Sequence, residues 1–227
     1  MVPAPTPEGG AWDRAQGGLW AEAFVADVKE SIADPMIFFS KIAGGRGWVR
    51  PWFFATIISV AVFLIALSYQ LGFQSLAASA HIGGLFSAVY KPFLVLSVPF
   101  AIAAMALFAL IGIPIFTTVA LIFQTLITHF CLVLLGGARR EMEATFRVIC
   151  FSMGPQLFQV IPLIGGLIAW GWQMVLIIIG LKVVHGTSYA RSALAVFLPT
   201  LACCGAILLL AATIFGWTFA AIFAGMH

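Results

Sequence analysis

Polar side chains recur at helical spacing within a run that is otherwise apolar: Ser152, Gln156 and Gln159. Because positions three and four apart lie on the same side of a helix, these side chains are predicted to share one face. A second apolar run carries its own polar set: Gln124, Thr128 and His129. Facing each other, the two sets would form a crevice that admits a lipid headgroup or a small solute. The alternative is hydrogen bonding between packed helices, at about 0.6 kcal/mol per contact, and this packing role is favoured.

One short connection is densely charged, with Arg139, Arg140 and Arg147 close to Glu141 and Glu143. Arginines clustered beside apolar runs attract anionic lipids, so these three are candidates for a cytoplasmic docking loop that binds lipid or a cytoplasmic partner. Alternatively, they orient the chain in a membrane and form local ion pairs, which is the favoured role.

No pattern for catalysis is present. The sequence has no nucleophile placed beside a base, no Gly-rich phosphate loop and no paired carboxylates. We therefore predict a protein that is not an enzyme and that needs no cofactor.

Metal and nucleic-acid sites are not predicted either. His81 is expected on the outer side of the membrane, whereas His129 and His185 are expected near the inner face. No Cys-x-x-Cys pair occurs among the four cysteines, which we expect to be unpaired. The basic residues stand singly or in threes beside apolar runs, whereas a nucleic-acid surface needs them clustered on one face.

The overall composition indicates whether the chain folds in water or in a lipid bilayer. Hydrophobic residues make up 63% of the 227 residues and charged residues only 8%, against roughly 25% charged residues in an average soluble domain. So few charges cannot cover the surface of a soluble fold. We therefore expect an all-α, polytopic bundle of membrane helices.

The N-terminal fifty residues differ from the rest. Residues 1–18 are rich in Pro and Gly and are predicted to be disordered. In residues 19–33 apolar side chains recur every four positions, which predicts an amphipathic helix that ends near Asp34-Pro35. Residues 19–50 are thus a cytoplasmic amphipathic or interfacial segment, and residues 51–227 are the transmembrane domain.

Five net membrane crossings are predicted. Trp52–Phe73 is the clearest, because it is uncharged and about 33 Å long as a helix, whereas the bilayer core is about 30 Å thick. The other four are Thr117–Leu135, Thr145–Ile161, Leu163–Val183 and Ala193–Phe223. Residues 74–91 are predicted to be a polar connection.

The placement of charge decides this number. Short loops rich in Lys and Arg remain in the cytoplasm, so Arg46 and Arg50 lie on the same side as Arg139 and Arg140. The number of crossings between them must then be even, although residues 92–135 are long enough for two. We therefore predict one crossing there, with Pro92–Ile111 as a kinked, re-entrant or outward-lying segment, and a cytoplasmic N-terminus.

A longer pattern of glycine, proline and aromatic placements connects these segments, in the runs Ala144–Ser152, Gly154–Pro155, Ile161–Gly166, Trp170 and Gly180–Gly186. This pattern resembles the bacterial branch of the YIP family, the Ypt/Rab-interacting membrane proteins. Further similar features are Asp34–Pro35, Phe38–Phe39 and Gly136–Gly137.

The resemblance implies a five-span fold with a cytoplasmic N-terminus, in agreement with the charge argument. It implies vesicle traffic and GTPase binding for eukaryotic members, but no established activity for bacterial ones. GTPase binding is not carried over, because the connection at Gly83-Gly84 and the apolar excess at 92–111 depart from the eukaryotic pattern.

The sequence thus favours a non-enzymatic integral membrane protein that acts as a scaffold, an adaptor or a membrane-organising factor. A transporter or lipid-translocating protein that uses the Gln- and Ser-lined crevice is the alternative. The predicted partners are the bilayer, a membrane or cytoplasmic protein and a second copy of the chain. The predicted location is the bacterial cytoplasmic (inner) membrane.

Overall fold

The computed structural model describes residues 9–15, 19–79 and 103–224, and the side chains of most of them. All regular structure within these ranges is helical. Three of the described helical segments are long and apolar enough to cross a membrane, by length and composition: Val49–Gly72, Ala103–Leu134 and Gly165–His185. The all-α character is thereby confirmed for the described residues, with three helices that could cross a membrane.

Three short helices form the N-terminal segment. They are α1 (Ala11–Arg14), α2 (Trp20–Ala33) and α3 (Pro35–Ile42). The boundary between α2 and α3 falls at Asp34, because Pro35 disfavours helical geometry in the residue before it and then suits the first helical position itself.

Residues 1–18 were expected to be disordered, and the structure differs in the part that it describes. Residues 11–14 form α1, and the side chain of Trp12 is buried. Composition predicted disorder because Pro and Gly dominate this tail. The burial of one tryptophan against the rest of the protein is enough to stabilise a single helical turn.

The next two helices lie side by side. Helix α4 (Val49–Ser79) contains the predicted span and continues into the predicted connection, whose residues from 80 onward lie outside the described residues, with His81 among them. Helix α5 (Ile113–Leu134) follows a π-helical turn at Phe108–Gly112. The Trp52 indole joins the two helices by donating to the Thr118 hydroxyl at 2.7 Å.

Only residues 103–111 of the predicted kinked segment Pro92–Ile111 lie within the described residues. There the helix continues without a break through Gly112 and Pro114 as part of Ala103–Leu134. The π-helical turn allows the helix to continue, because a π-bulge shifts the backbone hydrogen-bond pattern just before Pro114, which has no N–H to donate.

A short helix, α6 (Met142–Phe151), leads into a 3-10 helix at Gly154–Val160. The Arg147 guanidinium contacts the carbonyl of Gly47 at 3.2 Å, and the Tyr69 hydroxyl donates to the carbonyl of Val160. The segment therefore runs alongside α4 from its start to Tyr69, which is a depth of about 30 Å.

Two longer helices complete the chain. Helix α7 (Gly165–His185) ends at Gly186, whose positive φ of 60° is typical of a glycine after a helix. Helix α8 (Tyr189–Ala224) contains the predicted span Ala193–Phe223 and Pro199.

The buried core lies at the end of the bundle where the N-terminal segment packs. The Phe54 ring lies 4.9 Å from that of Phe24 and 5.0 Å from that of Phe151, and Phe38 packs on the other side of Phe151 at 5.7 Å. Such tilted and edge-on pairs add about 0.5–1.5 kcal/mol each to the burial of area. Helices α2 and α3 are thus part of the fold.

The outer faces of the long helices are apolar and exposed, with Leu110, Phe116 and Leu167 all more than 70% accessible. Exposed apolar area on this scale suits a lipid environment. Two described arginines lie elsewhere: the backbone N–H of Arg140 donates to His185 at the end of α7, and Arg191 donates to the carbonyl of Gly136 at 3.2 Å. We call this part of the bundle, with the start of α4 and the α5–α6 loop, the charged end.

Candidate functional site

A concave site of about 980 Å³ lies at the charged end, and we call it the basic pocket. Its walls are supplied by the end of α3 with the α3–α4 loop, by the α5–α6 loop with the first turns of α6, and by Val184 of α7. Its charged lining residues are Arg46, Arg139, Arg140, Glu141, Glu143 and Arg147. The structure therefore brings together the three arginines predicted for a docking loop, and it adds Arg46.

The arginines of the pocket have different surroundings. Arg139 and Arg140 are exposed, and Arg140 donates to the carbonyl of Ala43, which ties the α5–α6 loop to α3. Arg147 is only 2% exposed. It contacts the carbonyls of Arg46 and Gly47 at 3.3 and 3.2 Å and forms an ion pair with Asp13. Arg147 was predicted as a docking residue, but it is embedded in the wall.

The carboxylate of Asp27, in α2, holds the N-terminal tail at the charged end. Asp27 accepts the backbone N–H groups of Ala11 and Trp12 at 2.8 and 3.0 Å, which satisfies the free donors at the start of α1. The Trp12 indole donates to the carbonyl of Arg50 at 2.8 Å, and Arg50 donates back to the carbonyl of Trp12 at 2.9 Å. These bonds hold Asp13 within reach of Arg147.

Burial raises the pKa of the Asp27 carboxyl above its usual 3.8. The two backbone donors at Trp12 and Ala11 oppose this rise, and the negative charges of Asp13 and Glu30 add to it. Removing a carboxylate from water disfavours its charged form, and here that cost exceeds the gain from two hydrogen bonds.

The two described histidines belong to a hydrogen-bond chain. The backbone N–H of Arg140 donates to His185 Nδ1 at 3.3 Å, so the proton of a neutral His185 lies on Nε2, which is 3.0 Å from the Thr145 hydroxyl. That hydroxyl can then donate to His129 Nδ1 at 2.8 Å. Within the described part of the chain, no three metal-binding side chains meet at one point.

A second cavity of about 400 Å³ lies between α4 and α5 and reaches the 3-10 helix and α7. We call it the glutamine cleft, because Gln124, Gln156 and Gln173 line it together with Ser59 and Thr117. Most of the remaining lining is apolar. The Gln156 amide donates to Gln173, and the Gln159 amide donates to Gln156 at 2.6 Å.

The predicted crevice is only partly reproduced. Gln124 and Gln156 line one cleft, and Gln159 is bonded to Gln156. Ser152 is buried and donates to the carbonyl of Val148 in its own helix, at 2.6 Å. Thr128 is also buried, and it does not line the cleft. His129 lies in the histidine chain instead. Helix α6 ends at Phe151, so the face expected to align Ser152 with the glutamines is interrupted.

Three residues important to these sites were missed. Gln173 was not singled out because it lies within a strongly apolar span. A polar side chain inside such a span is nevertheless a reason to consider a functional site. Asp13 lies in a tail whose composition predicts disorder, and Thr145 has no local pattern that marks it.

The model of the Yip1 domain matches residues 29–212, which is most of the chain, and confirms the resemblance at the level of the family. No curated protein and no solved structure matches the chain. The family match and the apolar helices together identify an integral membrane protein. The chain therefore belongs to the Yip1 domain family.

Proposed function

We propose that this protein is a non-enzymatic scaffold or adaptor that engages a protein partner at the basic pocket of its charged end. One observation carries this proposal. Arg46, Arg139 and Arg140 surround a pocket of about 980 Å³, and within the described residues no ion pair joins any of them to a carboxylate. Concave sites with unneutralised charge are suited to binding.

The proposal includes a path of five crossings with the N-terminus in the cytoplasm, in the inner membrane of a bacterium. It is supported by the grouping of the basic residues at one end. It is also supported by α6 and the 3-10 helix, which together follow α4 over about 30 Å. Neither of them alone is long enough to cross the bilayer core.

The proposed partner is a cytoplasmic or membrane protein with an acidic surface, and a second copy of the chain would be recovered in the same experiment. Deletion of residues 19–33 would not test this proposal cleanly. Helix α2 supplies Asp27 to the start of α1 and Phe24 to the core, so its removal would damage the fold.

A sharper test neutralises two exposed arginines of the pocket. Arg139→Gln with Arg140→Gln should lose proteins that co-purify with the wild type in mild detergent. Lys29→Gln with Arg191→Gln removes the same charge from exposed positions outside the pocket and should retain them. Equal recovery by both double variants would contradict the proposal.

A second candidate function is movement of lipid or solute through the glutamine cleft. It is favoured by the convergence of Gln124, Gln156 and Gln173 in an otherwise apolar cavity. Gln156→Leu with Gln159→Leu should then abolish movement of a fluorescent lipid across reconstituted vesicles without lowering the abundance of the protein. Unchanged movement in that variant would remove this candidate.

A further inference from the structure

The basic pocket is built from guanidinium groups that the fold brings together from distant parts of the chain. Arg46 comes from the α3–α4 loop, Arg139 and Arg140 from the α5–α6 loop, and Arg147 from α6. Guanidinium groups that converge from separate segments can surround one anion, because each offers a planar fork of N–H donors.

Two glutamates also line the pocket, and their effect must be weighed. Glu143 accepts the backbone N–H of Gly47 at 2.6 Å, so its carboxylate is used to hold the α3–α4 loop. Glu141 is exposed and immediately precedes α6. No ion pair within the described ranges joins either glutamate to an arginine. Arg46, Arg139 and Arg140 therefore keep their charge for a ligand.

Arg147 adds an observation of its own. Its guanidinium is buried, and its Nε atom is fully buried without a hydrogen-bond partner. A Cβ atom at Gly45 would overlap this guanidinium, so the absence of a side chain there makes room for the group in the pocket wall.

We propose that the basic pocket binds a phosphate group, carried either by a lipid headgroup or by a soluble phosphate compound. Phosphate oxygens match the forked donors of Arg139, Arg140 and Arg46, three exposed arginines that line the pocket. Trp48 and Trp52 flank the start of α4, as aromatic residues do at a membrane interface, which places the pocket at headgroup depth. The inference rests on the proposed function only in that the charged end faces the cytoplasm.

Asp13 has a defined part in this site. Its carboxylate already neutralises Arg147 from within the protein, so it competes electrostatically with any phosphate in the pocket. Asp13→Asn should therefore tighten phosphate binding about tenfold, which corresponds to about 1.4 kcal/mol. Arg139→Gln with Arg140→Gln should weaken it at least tenfold.

The test uses the full chain in maltoside micelles, which contain no phosphate. The thermal unfolding midpoint is measured while inorganic phosphate, phosphatidylglycerol or diacylglycerol is added. A ligand that binds only the folded state raises this midpoint with concentration. Lys29→Gln with Arg191→Gln serves as the matched control for loss of charge.

The outcomes separate the two sources of phosphate. A rise with both phosphate compounds supports a site for the free group, and a rise with phosphatidylglycerol alone supports a headgroup site. For either conclusion, diacylglycerol must leave the unfolding midpoint unchanged. The rise in the midpoint must also be smaller in Arg139→Gln with Arg140→Gln than in the wild type, and unchanged in the control variant. No rise with either compound, or an equal rise in both double variants, would overturn the inference.

This result is independent of the co-purification test. If the arginine variant loses a protein partner while phosphate has no effect on the wild type, the scaffold proposal stands and the phosphate site fails. The reverse pattern rejects the protein partner and retains the phosphate site.

Discussion

Asp13 and Arg147 form a buried ion pair that joins the N-terminal tail to helix α6 across 134 positions of the sequence. Their side chains are only 10% and 3% exposed. The pair therefore connects the N-terminal tail to the wall of the basic pocket.

Removal of one member of this pair should be costly. Arg147→Gln leaves the Asp13 carboxylate buried and unpaired, and should lower the free energy of unfolding by about 3–5 kcal/mol. The matched control is Lys41→Gln, because the ion pair of Lys41 with Glu30 is about one-third exposed and should contribute about 0–1 kcal/mol. Denaturation in mixed micelles measures both, and equal losses would contradict the burial of the first pair.

Gly180 lies where α7 approaches α6 and α3. A Cβ atom there would lie 2.6 Å from Val148 Cγ1 and 2.9 Å from the Phe39 ring. Gly180→Ala should therefore cost about 1–3 kcal/mol of stability through overpacking. Gly171 is in the same helix and has nothing within 4 Å of its Cβ position, so Gly171→Ala should leave the thermal midpoint unchanged or slightly higher. A similar loss in both variants would show that this close approach is absent.

Thr145 links His129 to His185, and its loss leaves two ring nitrogens without this partner. Thr145→Val should lower the free energy of unfolding by about 1–3 kcal/mol. Thr125→Val is its control, because the Thr125 hydroxyl is buried without a partner and its removal should be neutral or stabilising. Should Thr125→Val prove the more damaging of the two, the histidine chain would not be the stabilising element.

Asp27 should give the protein a measurable pH dependence. Its pKa is raised by burial in the folded state, so between pH 3.8 and the raised pKa the folded state binds more protons than the unfolded state. The stability that Asp27 contributes is then complete below pH 3.8 and is lost as the pH rises through the folded pKa. Chemical denaturation at several pH values between about 4 and 7 measures this loss, since the reference carboxyl titrates near pH 4.

Asp27→Asn is the variant that identifies the source of this dependence. Stability should fall less steeply with rising pH in Asp27→Asn than in the wild type. Asp34→Asn alters an exposed carboxylate at the end of the same helix and should retain the wild-type slope. If Asp27→Asn kept the full slope, another group would be responsible.

The proposed path through the membrane predicts the side of the C-terminus. Alkaline phosphatase fused after His227 should be active, because five crossings place it in the periplasm, where this reporter folds. The same reporter inserted after Glu141, in the α5–α6 loop, should be inactive. An inactive C-terminal fusion would make the number of crossings even and the five-span path wrong.

Much of the fold was predictable because apolar length is a local property. Trp52–Phe73 lies within α4, and Leu163–Val183 differs from α7 by two residues at each end. The helix through Gly112 and Pro114 was harder to predict. Both residues disfavour regular helix, and the π-helical turn that accommodates them has no simple sequence signal.

The candidate site was predictable only as a set of residue types. Arg139 and Arg140 were found from their density of charge, and Gln156 and Gln159 from their spacing. The burial of Arg147 could not be predicted, because nothing near it in sequence indicates that a carboxylate 134 positions away will meet it.

The sequence by itself determined that this is a helical membrane protein, where its longest spans lie and which family it belongs to. The first two properties follow from the transfer of each segment between water and lipid, which depends on local composition. The family follows from its pattern of glycine, proline and aromatic residues. The tertiary structure alone decided that Asp13 neutralises Arg147, that Gln173 joins the glutamine cleft and that four arginines share one pocket. Those contacts depend on how the helices rotate and pack against each other, and that packing is set by side chains distant in sequence.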